Sequence, residues 1–88
     1  MTILKYTLEL NDLQEIQMPK SATILSCQKQ FSDCISIWVM ADPDAELETR
    51  IFEIIGTGRK IPQLPNKYIS TVIVDRFVWH VFEITNTP

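Results

Sequence analysis

Hydrophobic and polar positions alternate along most of this chain. From residue 4 to residue 10, Leu4, Tyr6, Leu8 and Leu10 point one way and Lys5, Thr7 and Glu9 the other. A period of two is that of a strand buried on one face. NDL is turn-like, and QEIQM repeats the alternation through Ile16 and Met18. Pro19 ends that run, because proline offers a sheet ladder no donor. SATILSCQKQ predicts a third strand and FSD the tip of a hairpin. CISIWVMA, from Cys34 to Ala41, follows as a fourth strand, apolar on both faces from Ile37 onward. Such a strand suits the centre of a sheet, covered on both sides.

In DPDAELETR, Asp42 is a good helix N-cap, Pro43 suits a first helical position and acids follow in the first turn. The segment predicts a turn or one short helical turn. RIFEIIG predicts the fifth strand, and KIPQLPNKY, with two prolines and no period, predicts a loop. YISTVIV and FVWHVFEI form a closing hairpin with Asp75 and Arg76 near its tip. The pattern therefore predicts an all-β fold of about seven short strands in a single domain over residues 1–88. The architecture is a small antiparallel sandwich or a partly open barrel.

Composition narrows the setting. At 88 residues the chain folds as one small domain with little margin, since a domain of this size buries only about 60–65% of its unfolded surface. A formal charge of −3 gives no footprint for duplex nucleic acid, which needs a lysine or arginine for each phosphate neutralised. No apolar window reaches the length that spans a bilayer. The start MTILKYTLEL lacks a basic region and a small-residue cleavage site, so no secretory signal is expected. A cytosolic setting follows, with Cys27 and Cys34 expected as reduced, buried thiols. A hairpin register that sets Cys27 near Trp38 leaves Cys34 close to the turn and the two too far apart to bridge.

The order KYTLEL, MPKSATILSCQKQ, IWVMADPDAELETRIFEIIGTG, YISTV and VWHVFEI resembles that of a family of small tailed-bacteriophage proteins carried as a domain of unknown function. The resemblance runs over almost the whole chain. Its most specific pieces are IGTG followed by YI-T, and the closing WHVFE. The family usually carries histidine directly after the second glycine, where this chain has Arg59. The resemblance implies a phage setting and a small β fold, and with the cytosolic setting above the expected location is the host cytoplasm. It implies no reaction and no catalytic residue.

The candidate chemistry gathers in one stretch. The only two glycines are Gly56 and Gly58, and Arg59 and Lys60 follow them. GTGRK matches neither a P-loop nor a dinucleotide fingerprint, whose third glycine position is Ile61. One reading is backbone geometry, with both glycines allowing positive φ where the strand leaves the sheet. The other is a bend whose N–H groups face an anion, with Thr57, Arg59 and Lys60 adding donors. Both readings can hold together.

His80 sits in an apolar strand, which favours a packed, hydrogen-bonded histidine. A general base would need a nucleophile and an orienting group, and no local pair exists, although serines, threonines and glutamates elsewhere can approach in space. Asp42, Asp44, Glu46 and Glu48 miss the spacing of a calcium loop and read as a solvated turn. Two cysteines and one histidine do not fill a zinc site without carboxylates. Phe77, Trp79 and Val81 on one face of the last strand, with Val78, Phe82 and Ile84 on the other, suggest a two-layer core or an interface of a homo-oligomer.

The expected function is therefore binding rather than catalysis, with no metal or cofactor. The partner would be a host defence protein or a small signalling nucleotide, met in counter-defence or host takeover. A virion or assembly component is the alternative.

Overall fold

A computed structural model describes residues 1–10, 13–31, 34–61 and 65–85. Among these are seven strands and no helix. They are β1 (Thr2–Leu8), β2 (Leu13–Pro19), β3 (Thr23–Gln30), β4 (Cys34–Ala41), β5 (Leu47–Gly56), β6 (Asn66–Val74) and β7 (Phe77–Ile84). Two antiparallel sheets result, ordered β1-β4-β3 and β2-β5-β7-β6. Neither sheet closes on itself, so the fold is the sandwich of the two expected architectures. The β3–β4 tip expected at Ser32 and Asp33, the turn at Asn11 and Asp12, and the loop positions 62–64 lie outside the described residues.

The alternating residues become the core. Leu8, Cys27, Ile35, Ile37, Val39 and Ala41 from the first sheet meet Met18, Phe52, Ile54, Val72, Val74 and Val81 from the second. In β4 the burial alternates: Met40 on the outer face is exposed and Trp38 is half-buried. The strand is central, as expected, but its outer face is only partly covered. Ser36 is the buried exception on that face, reached by the Gln30 side chain at 3.5 Å. Pro19 closes β2, paired with Leu47, at the edge of its sheet. An edge strand is where a missing donor costs least.

Asp42 to Glu46 form a turn without a helix. The Ala45 N–H donates to the Asp42 carbonyl at 3.1 Å and the Asp44 N–H to Asp42 Oδ1 at 3.0 Å. The Asp42 side chain thus caps a turn rather than a helix. Cys27 pairs with Ile37, and Cys34 lies at the hairpin end paired with Gln30. Both thiols are free. Cys34 is exposed, which corrects the expectation that both would be buried. Burial pushes the Cys27 thiol up to about 11.

Candidate functional site

The closing hairpin and the glycine loop meet at one end of the four-stranded sheet, because β5 and β7 are neighbours and pair Gly56 with Trp79. The Thr57 N–H extends that ladder to the Val78 carbonyl at 3.2 Å. The chain then turns at once: the Arg59 N–H returns to the Gly56 carbonyl at 3.2 Å, and Gly58 takes φ 92°. A positive φ at the third residue of a four-residue turn is what a type II turn requires, and only glycine takes it freely. Gly56 does not share this need, which corrects the sequence expectation. A Cβ there would meet Trp79 Cζ3 at 3.6 Å, an ordinary contact. Gly56 thus lies beside the indole of its cross-strand partner without a steric need for glycine.

Between the two loops lies a cavity of about 560 Å³ lined by Gly56, Thr57, Arg59, Arg76, Phe77, Val78 and Trp79. This size suits a small ligand. The Phe77 and Trp79 rings lie 6.4 Å apart between centroids and 47° from parallel, forming an aromatic wall. The Trp79 Nε1–H is buried and has no acceptor among the described residues. Among those residues the one ion pair is Arg50 with Glu83, so no described carboxylate neutralises Arg59 or Arg76. Sequence reasoning named the loop and the aromatic residues separately. It placed Arg76 only at a hairpin tip, because nothing along the chain says which tip meets which loop.

The other named residues fall elsewhere. Lys60 is exposed and does not line the cavity. Val81 is fully buried, between Ile54 and Ser70 in the ladder, and presents no surface for an interface. Phe77 is exposed and Trp79 half-buried, and both serve as cavity walls. Two acids of the 42–48 segment bind backbone: Asp42 accepts the Asp44 N–H and Glu48 the Ser21 N–H, each at 3.0 Å. No cluster of metal-ligating side chains occurs among the described residues.

His80 gains the partners that the linear sequence lacked. Its Nε2 lies 2.8 Å from Thr57 Oγ1, and its Nδ1 lies 3.1 Å from Thr71 Oγ1. The Thr71 hydroxyl in turn meets the Tyr68 hydroxyl at 2.6 Å. Register explains the chain: Thr71 sits opposite His80 on β6, and Thr57 immediately follows the end of β5 on the other side. Thr57 therefore belongs both to the cavity lining and to a hydroxyl–imidazole chain. No carboxylate among the described residues contacts His80.

A second cavity, of about 650 Å³, runs between the edges of β3 and β6. Both edges are irregular there, with register shifts at Leu25 and Ile69, and Ser70 Oγ donates to the Cys27 carbonyl at 3.2 Å. Lys67 is its one charged lining residue. The smaller cavity concentrates more chemistry, with two cations and an aromatic wall.

The chain belongs to the family described as Domain of unknown function (DUF7352), whose profile matches residues 1–88. No curated protein and no solved structure matches it. No helix among the described residues is long and apolar enough to cross a membrane.

Proposed function

We propose that this protein acts by binding, and that the cavity between the glycine loop and the closing hairpin takes a nucleotide. One observation carries the reading. Arg59 and Arg76, brought from separate loops and unpaired among the described residues, line the same cavity as Phe77 and Trp79. Guanidinium groups hold phosphate through charge-assisted hydrogen bonds. Aromatic faces stack on a base with little regard to its identity. The turn at Gly58 frames the cationic side, so backbone geometry and ligand binding use the same loop.

The tailed-phage resemblance supplies a setting for this proposal. In host cytoplasm such a protein would sequester a signalling nucleotide during counter-defence or host takeover. A second reading, a protein target or a second copy of the chain, draws on the exposed Leu13, Tyr68 and Ile73 on the outer face of the same sheet.

Calorimetry against mono-, di- and cyclic nucleotides tests the first reading. Wild type should give heat with at least one of them. With each charge-assisted bond worth roughly 1.5–3 kcal/mol, Arg59→Ala/Arg76→Ala should weaken that binding by about 100-fold or more. No heat from any nucleotide, or equal affinity in both proteins, contradicts it.

A further inference from the structure

We infer that Thr57 is a phosphoryl acceptor, modified once by a nucleoside triphosphate held in the loop cavity. The inference rests on the nucleotide reading above and deepens it.

Nucleophilic side chains are recognised by a base within hydrogen-bond reach and a third group that orients the base. Thr57 Oγ1, His80 Nε2, His80 Nδ1 and Thr71 Oγ1 follow one another in that order, at 2.8 and 3.1 Å. The shorter contact fits an O–H donating to Nε2, and the longer one an N–H donating to Thr71. Thr71 then donates to Tyr68. This assignment leaves Nε2 with its lone pair toward Thr57. The Thr57 hydroxyl has one other acceptor, the Val78 carbonyl, at a longer 3.4 Å.

Thr57 also lines the cavity beside Arg59 and Arg76. A triphosphate with its base against Phe77 and Trp79 would have its phosphates between the two guanidinium groups. The step balances as follows. Thr57 Oγ forms a bond to the terminal phosphorus. The bond from that phosphorus to the bridging oxygen breaks, and its electron pair leaves with the nucleoside diphosphate. The Thr57 proton passes to His80 Nε2 and then to solvent.

The orienting group here is a hydroxyl, which holds the ring but adds no negative charge to stabilise the imidazolium. The transfer is accordingly slow. Its product also limits it, because a phosphothreonine at 57 sets its oxygens beside Arg59 and Arg76, where the ligand's phosphates bind. One event per chain follows, without turnover.

The test incubates the full chain with the magnesium salt of adenosine triphosphate and follows intact mass and peptide maps. Wild type and Thr57→Ser should gain one phosphoryl group at position 57. Thr57→Val should gain none, and His80→Gln should gain it far more slowly. Calorimetry with a non-hydrolysable triphosphate analogue runs in parallel on each variant. Wild type that binds the analogue but gains no phosphoryl group, or gains it at another residue, overturns this inference and leaves the binding reading standing. A whole nucleotide attached at Thr57 also overturns it. Absence of analogue binding by wild type overturns this inference, and if the mono-, di- and cyclic nucleotides also give no heat, the binding reading falls with it.

Discussion

Strands β5 and β7 carry arginine chemistry at both ends of the sheet, and the two ends are built differently. At one end Arg50 reaches Glu83, with Nε to Oε2 at 2.6 Å and Nη2 to Oε1 at 2.9 Å. Its remaining Nη1 donates to the Ala22 carbonyl at 2.6 Å, where the chain enters β3 of the other sheet. Every part of that guanidinium is committed, and the pair is mostly buried, at 17% and 11% side-chain exposure. The hydrogen bond to Glu83 raises the Arg50 guanidinium above its ordinary value, against the opposing effect of burial. At the other end Arg59 and Arg76 have no carboxylate partner among the described residues, and they border a cavity. The first arginine fastens the sheets together. The other two, without such a partner among the described residues, border the cavity on which the binding proposal rests.

This contrast predicts opposite responses to arginine removal. The largest loss of stability should follow Arg50→Ala or Glu83→Ala, at about 3–5 kcal/mol, because either change strands a buried charge. In a domain this small, such a loss takes most of the available stability. Chemical denaturation of each variant checks this, and a change below about 1 kcal/mol would mean that the pair is no fastening.

Next in size is an alkaline effect in the core beneath. Folded Cys27 keeps its proton to about 11, whereas the unfolded thiol releases it near 9.0. The contribution is therefore complete below pH 9 and is lost as pH rises toward 11, by about 2–3 kcal/mol. Denaturation curves for wild type and Cys27→Ala should converge across that window. Parallel curves would show that the thiol does not report burial.

The glycine pair should split. Gly58→Ala places a side chain at φ 92° and should cost about 1–2 kcal/mol. Gly56→Ala puts a methyl group in ordinary contact with Trp79 and should change stability by no more than about 0.5 kcal/mol. Thermal melts of the two variants check this, and equal losses would contradict the turn geometry.

Much of this was legible in the chain. Leu4, Tyr6 and Leu8 announced a one-sided strand, and the closing strand was found from Phe77 to Ile84 as expected. Gly56 and Gly58 announced a turn, but the sequence could not say that only the second needs positive φ. That depends on where the ladder stops, two residues before Gly58. The cavity was half legible. Its walls come from β5 and β7, which pair without being consecutive, and such pairings follow from whole-sheet packing rather than local pattern. The same holds for His80, whose hydroxyl partners lie on its two neighbouring strands. β5 began earlier than its apolar run, since Leu47 to Thr49 are held by pairing with β2. Bulges at Leu25 and Ile69 left no mark in composition.

The smallest expected stability change is at the cavity itself. Arg59→Ala/Arg76→Ala should shift stability by less than about 0.5 kcal/mol, since exposed side chains with no partner among the described residues contribute little. A calorimetric melt checks it, and a clear loss would mean that these arginines hold the fold and are not reserved for a ligand.

The most direct measurement follows the two tryptophan indole N–H signals in an amide proton–nitrogen spectrum during nucleotide titration. Trp38 lies on the outer face of the other sheet and serves as the internal reference. Trp79 forms a cavity wall, and its buried N–H has no acceptor among the described residues. The account predicts that a nucleotide moves the Trp79 signal, that Trp38 stays in place, and that Arg59→Ala/Arg76→Ala abolishes the movement. A Trp79 signal that stays still while nucleotide binds, or an equal movement of both signals, would contradict it.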